Sequence, residues 1–431
     1  MSNDIDRKWW LWIEPYVHVS IIGNKALLYN TLSGSKLEYT DEPDILHILK
    51  KMLRPENLLV IPITRKELNH PRISCFVQEI KTRFMGDMED VVLSYGKPIQ
   101  LKSIINLQAD IKQKRRDHNL EGKAILSYLR EVSIYINNSS HSHSSVYEPL
   151  PPLLYKQVLF PYFERRGTPQ ELSLDTIKML CNSLENSGLA SINIIGGNIL
   201  DHSRFEDMVV FFDNTSRVKA YHLHYLDALN NLEKLGLIKD NEGKSWINLL
   251  VTFPIQDQNL ETAVRFAGEQ GNVKLTFLIS GMDELNYCDS IPGRFGLRDF
   301  LLKPYYNGSN MDFFKDAVFI HPEDITAARP SQREIVARMV VNSNFFGKLT
   351  IMSNGDVYSN LNTPKLGNIH NHIIHDLIFK ELYHGRNWLR VRPNLSPCKG
   401  CLYNVICEEI SNYEFVLRRN DLCTVLNYNG K

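Results

Sequence analysis

The sequence predicts an α/β protein: a partial (βα)6 barrel set between a small N-terminal strand-and-helix module and a cysteine-rich C-terminal domain. Three observations carry this reading. Six apolar runs alternate with helical patterns through the middle of the chain, the mark of βα units around a parallel sheet. Before them come short strand patterns and proline-initiated helices. After them, from Cys398 onward, fall four of the seven cysteines. The boundaries expected are 1–88 for the first module, 89–124 for a linker, 125–342 for the barrel and 343–431 for the last domain.

Composition narrows the function classes. At 431 residues and 43% hydrophobic, the chain can bury real cores. Its 49 Lys and Arg balance 49 Asp and Glu, so no global field draws it to nucleic acid or to an anionic membrane. The start carries acids and no long apolar segment, and no later run approaches a spanning helix, so a cytoplasmic location is expected. Cys75, Cys181 and Cys288 are solitary within apolar patterns and read as small buried residues.

In the first module, Tyr16 to Ile22, Ala26 to Asn30 and Ser35 to Tyr39 read as three strands of a meander. Pro43 opens a helix running to Leu53, and Pro71 opens a last helix with Ile73, Phe76, Val77, Ile80 and Phe84 on one face. Together these make a winged-helix-like unit. Trp9, Trp10 and Trp12 fit either an interface anchor or a cap over the small sheet, and the sequence leaves both open. This order, with the phrase Ala26-Leu-Leu-Tyr-Asn-Thr-Leu-Ser-Gly34, resembles the precursor-peptide recognition element of ribosomal peptide maturation. The resemblance implies that a leader peptide adds as a strand beside the third strand, against the last helix. The residues so implicated are Lys36, Leu37, Glu38 and Tyr39, with Ile73, Phe76, Val77 and Ile80; the apolar helix face also has a plain reading as module core.

The linker holds one basic run, Lys112 to Arg116, read as a solvated helix face. Six strands follow, expected at Arg130–Asn137, Ser191–Gly196, Val218–Tyr225, Trp246–Phe253, Asn272–Ser280 and Arg298–Lys303, with helices such as Leu174–Asn186 and Leu260–Glu269 between them. No GxGxxG or P-loop interrupts them, so nucleotide folds of those kinds are not supported. His222 and His224 share one side of a strand and are the best barrel candidates for ligand or proton contact, against a plain structural role. Gly281-Met-Asp-Glu284 reads as a turn.

Beyond the barrel, Gly347 to Ser359 reads as a hairpin with a type I′ turn at Asn354-Gly355. Pro397-Cys398-Lys-Gly-Cys401 sets two sulfurs on one tight turn, and Cys407 and Cys423 can complete a tetrahedral cage. Spacing alone allows zinc or an iron-sulfur cluster. Four thiolates leave no open coordination position, which suits a structural or electron-transfer role.

Barrel and tail together resemble the radical SAM peptide maturases that carry a SPASM domain. That family holds its catalytic cluster in a C-x-x-x-C-x-x-C loop after the first strand. Here the equivalent stretch, Asn137 to Tyr147, has no cysteine, and its His141 and His143 read as a solvated Ser-rich loop. Where the family has Gly-Gly-Glu, this chain has Gly196-Gly-Asn198. Ligands of a first auxiliary cluster fall on Asn360, His372 and Ser411, whereas those of a second match Cys398, Cys401, Cys407 and Cys423. The resemblance therefore implies a degenerate maturase with one auxiliary 4Fe-4S cluster, zinc being the alternative, and no S-adenosylmethionine. The nearest likeness is to the pseudo-radical-SAM/SPASM proteins of Gly-Gly, Bacteroidales-type systems. Expected partners are a precursor leader peptide and an active radical SAM/SPASM maturase. The competing expectations are an electron-transfer subunit using the cluster and an independent enzyme using the barrel.

Overall fold

The structure is a computed structural model and describes residues 7–100, 122–138, 151, 153–163, 168–185, 187–240 and 242–425; the basic run and His141 and His143 lie outside them. The N-terminal module holds β1 (Lys8–Ile13), β2 (Val17–Ile22), β3 (Lys25–Asn30), β4 (Lys36–Thr40), α1 (Pro43–Met52), β5 (Val60–Thr64), α2 (Arg65–Leu68), α3 (Pro71–Thr82) and β6 (Gly86–Asp90). The expected meander is present as the sheet β2-β3-β4. The module has more strands than expected, because a second sheet, β5-β1-β6, lies beside it. Its central strand is the tryptophan run, so those side chains belong to a ladder whose Leu11 and Ile13 enter the core. The run has no apolar/polar alternation, which is why a strand was not expected there. Gly86 permits this pairing, since a Cβ on it would lie 2.2 Å from the Trp12 carbonyl.

One core unites both sheets with α1 and α3, and Ile73, Phe76, Val77 and Ile80 are buried in it. Burying a side chain such as Phe76 stabilises by about 1.5–3 kcal/mol. Cys75, expected inside, is exposed on the opposite face of α3, because the helical period turns it away from Phe76 and Val77. Cys288 is buried and Cys181 half-buried.

All six strands expected in the middle of the chain form, as β7 (Glu131–Tyr135), β8 (Ser191–Ile195), β9 (Val218–His224), β10 (Ser245–Val251), β11 (Val273–Ile279) and β12 (Phe300–Pro304), each parallel to the next in one sheet. The helices between them, Leu174–Ser183, Phe205–Asp213 and Asp257–Gln270 among them, pack Ile177, Phe212 and Leu260 on Ile194, Leu223 and Leu249 of the outer face. Gly281 begins the helix Met282–Phe295 rather than a free turn.

The hairpin is also present, as β13 (Lys348–Ile351) and β14 (Asp356–Tyr358), followed by β15 (Gly367–Asn368). Its position in the sheet is new: β13 runs parallel to β7, so the sheet has nine strands in the order β12-β11-β10-β9-β8-β7-β13-β14-β15. The turn is not type I′. Met352 accepts from the Gly355 amide at 2.8 Å. Gly355 alone in the turn has positive φ, 83°, which is a type I turn closed by a left-handed glycine.

Candidate functional site

The four C-terminal cysteines converge. Cys398 starts a single 3-10 turn, and its carbonyl accepts from the Cys401 amide at 2.9 Å. Tyr403 donates its amide to the Cys401 sulfur and accepts from the Cys407 amide at 2.8 Å. Cys423 arrives from the far end of the chain, bridged to Ile320. All four are free thiols. Burial pushes the Cys407 thiol up to about 12 and raises Cys398 and Cys401, and neighbouring cysteine sulfurs add to the rise at each of these three. The buried Arg392 guanidinium reaches Cys398 Sγ at 3.5 Å and pairs with buried Glu414 at 2.8 Å.

Among the described residues, no three His, Cys, Asp or Glu side chains stand in a finished ligating group. The donor set nevertheless suits a thiophilic metal: four reduced sulfurs, one amide and one guanidinium directed at them, and no carboxylate ligand required. Cys398, Cys401, Cys407 and Cys423 would hold it. A bound zinc ion or iron-sulfur cluster would supply a closed cross-link between the chain's last segments.

The other ligand positions matched in the sequence are committed to hydrogen bonds. Asn360 donates to Asn412 Oδ1 at 2.8 Å, His372 Nδ1 lies 3.2 Å from the Asn368 carbonyl, and Ser411 caps the helix Asn412–Val416.

In the N-terminal module, β4 is an edge strand. Asn30 N to Ser35 O and Asp41 N to Asn24 O set the ladder alternation, which turns the backbone groups of Lys36, Glu38 and Thr40 outward. Leu37 and Tyr39 point into the core, where Tyr39 meets Phe76 edge-on at 5.7 Å and donates to Glu79 at 2.7 Å. Thus Ile73, Phe76, Val77 and Ile80 form the floor beneath the edge, with the Arg72 guanidinium 5.5 Å from the Tyr39 ring and Arg83 exposed beyond it. Arg83 donates to the outward Lys36 carbonyl at 2.7 Å. Leu32 and Phe84, 75% and 76% exposed, sit at the same end, joined through Asn30.

The other face of this sheet meets the cysteine segment. Leu27 and Tyr29 of β3 pack with Val405, Ile406 and Cys407. On β4, Lys36 donates to the Tyr403 hydroxyl at 2.8 Å, and that hydroxyl donates to Glu38. Neither Tyr403 nor Arg83 was marked by the sequence. The unbroken run Ala26-Leu-Leu-Tyr29 did carry a signal, because a strand apolar on both faces is covered on both.

The barrel mouth, at the C-terminal ends of its strands, is filled by the chain itself. Residues 153–163 cross it: Phe160 is buried with Leu154, Leu250, Leu278 and Tyr305, and its carbonyl accepts from the Tyr135 hydroxyl at 3.0 Å. The Tyr162 amide donates to the Gly196 carbonyl at 3.0 Å. The space beside Gly196 belongs to Asn137, whose Oδ1 would lie 2.1 Å from a Cβ there and accepts from the Gly197 amide at 2.9 Å. Asn198 is turned inward to cap its own turn through the Leu200 amide at 3.1 Å.

Below the mouth, a polar belt crosses the sheet interior. Asn193 donates to Glu131 and Ser133 at 3.0 and 3.2 Å, His222 Nε2 meets Asn193 Oδ1 at 3.1 Å, Asn248 meets His222 Nδ1 at 3.1 Å, and Thr276 donates to Asn248 at 2.7 Å. Burial lowers the His222 pKa to about 3, so the imidazole is neutral with both nitrogens engaged. His224 caps the helix Tyr225–Leu229 and meets Thr252 at 2.8 Å. His222, Asn248 and Thr276 of the belt line a cavity of about 600 Å³ whose other walls include Gln157, Val158 and Leu159 of the crossing segment, with Leu301, Lys303 and Asn412.

No protein-family model matches the chain, and no curated protein matches it in sequence. Among solved structures, it is similar to crystal structures of Streptococcus suis SuiB. With S-adenosylmethionine bound, the identity is 12% over 96% of this chain and 97% of that one, at a TM-score of 0.42. With the precursor peptide SuiA bound, the identity is 14% over 96% and 98%, at 0.40. SuiB alone gives 13% over 95% and 97%, at 0.41.

Proposed function

We propose that this chain is a non-catalytic subunit of ribosomal peptide maturation, which captures a precursor's leader segment at β4 and presents it to an active radical SAM maturase. The observation that carries the reading is the filled barrel mouth. Phe160 occupies it, Tyr162 takes the Gly196 carbonyl, and Asn137 fills the glycine crevice, so the strand ends offer little free backbone to a substrate or cofactor. His222 has no free nitrogen for proton transfer, which disfavours an independent enzyme in the lumen.

The β4 edge contrasts with this. Its outward groups at Glu38 and Thr40 can pair with an added strand, and Leu32 and Phe84 offer apolar surface at one end. The cysteine site is read as a structural staple; Cys398, Cys401, Cys407 and Cys423 would hold a 4Fe-4S cluster, or zinc. Co-expression with a precursor peptide and a radical SAM maturase tests the whole reading. The expected outcome is co-purification of both, with product formed only when the maturase is present. Product from this chain and peptide alone would overturn the non-catalytic role, and failure to retain either partner would overturn the scaffold.

A further inference from the structure

The residue joining the two sites of this chain is Tyr403. Its amide donates to the Cys401 sulfur and its carbonyl accepts from the Cys407 amide at 2.8 Å, so its backbone spans two of the four cysteines. Its side chain leaves the cysteine segment altogether. The hydroxyl accepts from Lys36 Nζ at 2.8 Å and donates to Glu38, and the ring lies 5.0 Å from the same ammonium. Lys36 and Glu38 are the β4 residues whose backbone groups face outward. Beside them, Leu27 and Tyr29 complete an apolar seam with Val405, Ile406 and Cys407. The segment between Cys401 and Cys407 is therefore one wall of the β4 edge, and α3 is the other.

We propose that metal loading of the cysteine site regulates the β4 edge through Tyr403. This rests on the reading of Cys398, Cys401, Cys407 and Cys423 as a metal site and of β4 as a docking edge. The physical chain is short. Ligation of Cys401 and Cys407 fixes the backbone turn that carries Tyr403, and with it the hydroxyl that holds Lys36 and Glu38. Without ligation, that turn keeps its local bonds, the Arg338 contact to the Ile406 carbonyl and the apolar seam, but not the cross-link to Cys398 and Cys423, so the anchor on Lys36 and Glu38 is looser. A pre-ordered edge accepts a strand at lower entropic cost, and by linkage an added strand tightens metal binding by the same factor.

The test uses metal alone. The full chain is compared after anaerobic reconstitution with iron and sulfide, after loading with Zn²⁺, and after chelation, with metal content measured in each. Hydrogen exchange is followed at the Leu37 and Tyr39 amides, which pair with β3, since those of Lys36, Glu38 and Thr40 face outward. The expected result is exchange there at least about fivefold slower in a loaded form, with β10 unchanged. Tyr403→Phe keeps the ring, the amide and the four cysteines. It should bind as much metal while its Leu37 and Tyr39 amides no longer respond to loading. Equal exchange in loaded and stripped wild type overturns the coupling, as does a Tyr403→Phe protein that still responds. A chain that takes up no metal overturns it together with the metal site. Because no peptide enters this measurement, failure of leader capture is seen separately, in the co-expression experiment.

Discussion

The β4 edge and the barrel mouth are both places where a sheet presents unpaired backbone, yet the chain treats them differently. At the mouth, Tyr162 supplies the partner for the Gly196 carbonyl, and Phe160 fills the space above the strands. At β4, Arg83 covers the Lys36 carbonyl, and among the described residues none pairs with the backbone of Glu38 or Thr40. The strand ends at the mouth are covered in cis, and the outward backbone of β4 at Glu38 and Thr40 is left to pair in trans. An unpaired edge invites a strand, so the open backbone of β4 is where the proposed docking is to be tested.

The contrast is broken most sharply at Phe160. Phe160→Ala removes a buried ring from the mouth and should cost about 3–5 kcal/mol in denaturant unfolding, while leader capture at β4 persists in whatever fraction is folded. A cost under about 1 kcal/mol would mean that the segment only rests on the barrel.

His222 tests how closed the lumen is. Its folded pKa, about 3, lies below the ordinary 6.5, so between those values the unfolded chain binds the extra proton. Stability should therefore fall as pH drops through that window, and His222→Gln should flatten part of that slope in urea titrations at each pH. Identical slopes would refute the neutral, doubly engaged imidazole.

At the edge, the effects on stability are small and those on docking large. Thr40→Pro deletes one outward amide from an edge strand, which should change stability by less than about 1 kcal/mol yet weaken co-purification with the precursor. Unaltered capture would move the docking edge elsewhere.

The legible parts of the fold share a cause. The strands in the middle of the chain are rich in apolar residues, with runs such as Leu249-Leu-Val251 and Phe277-Leu-Ile279, and the hairpin declares itself through Asn354-Gly355. The tryptophan strand was missed because β1 lacks alternation, and the turn type because Asn354 stays at negative φ. Cys75 looked internal because of its apolar neighbours, although the period that sets Ile73, Phe76, Val77 and Ile80 on one face of the helix already turns it to the other.

The sequence by itself determined which chemistry this chain can hold: four cysteines at ligand spacing, a glycine pair where a strand ends, and no cysteine in the stretch after the first barrel strand. Spacing along the chain reports what a local turn can do. Only the tertiary structure decided what touches what. Tyr403 meets Lys36 across 367 positions of sequence, and Asn137 meets Gly197 across 60. Such contacts depend on how the module, barrel and tail pack, and no local periodicity encodes that arrangement.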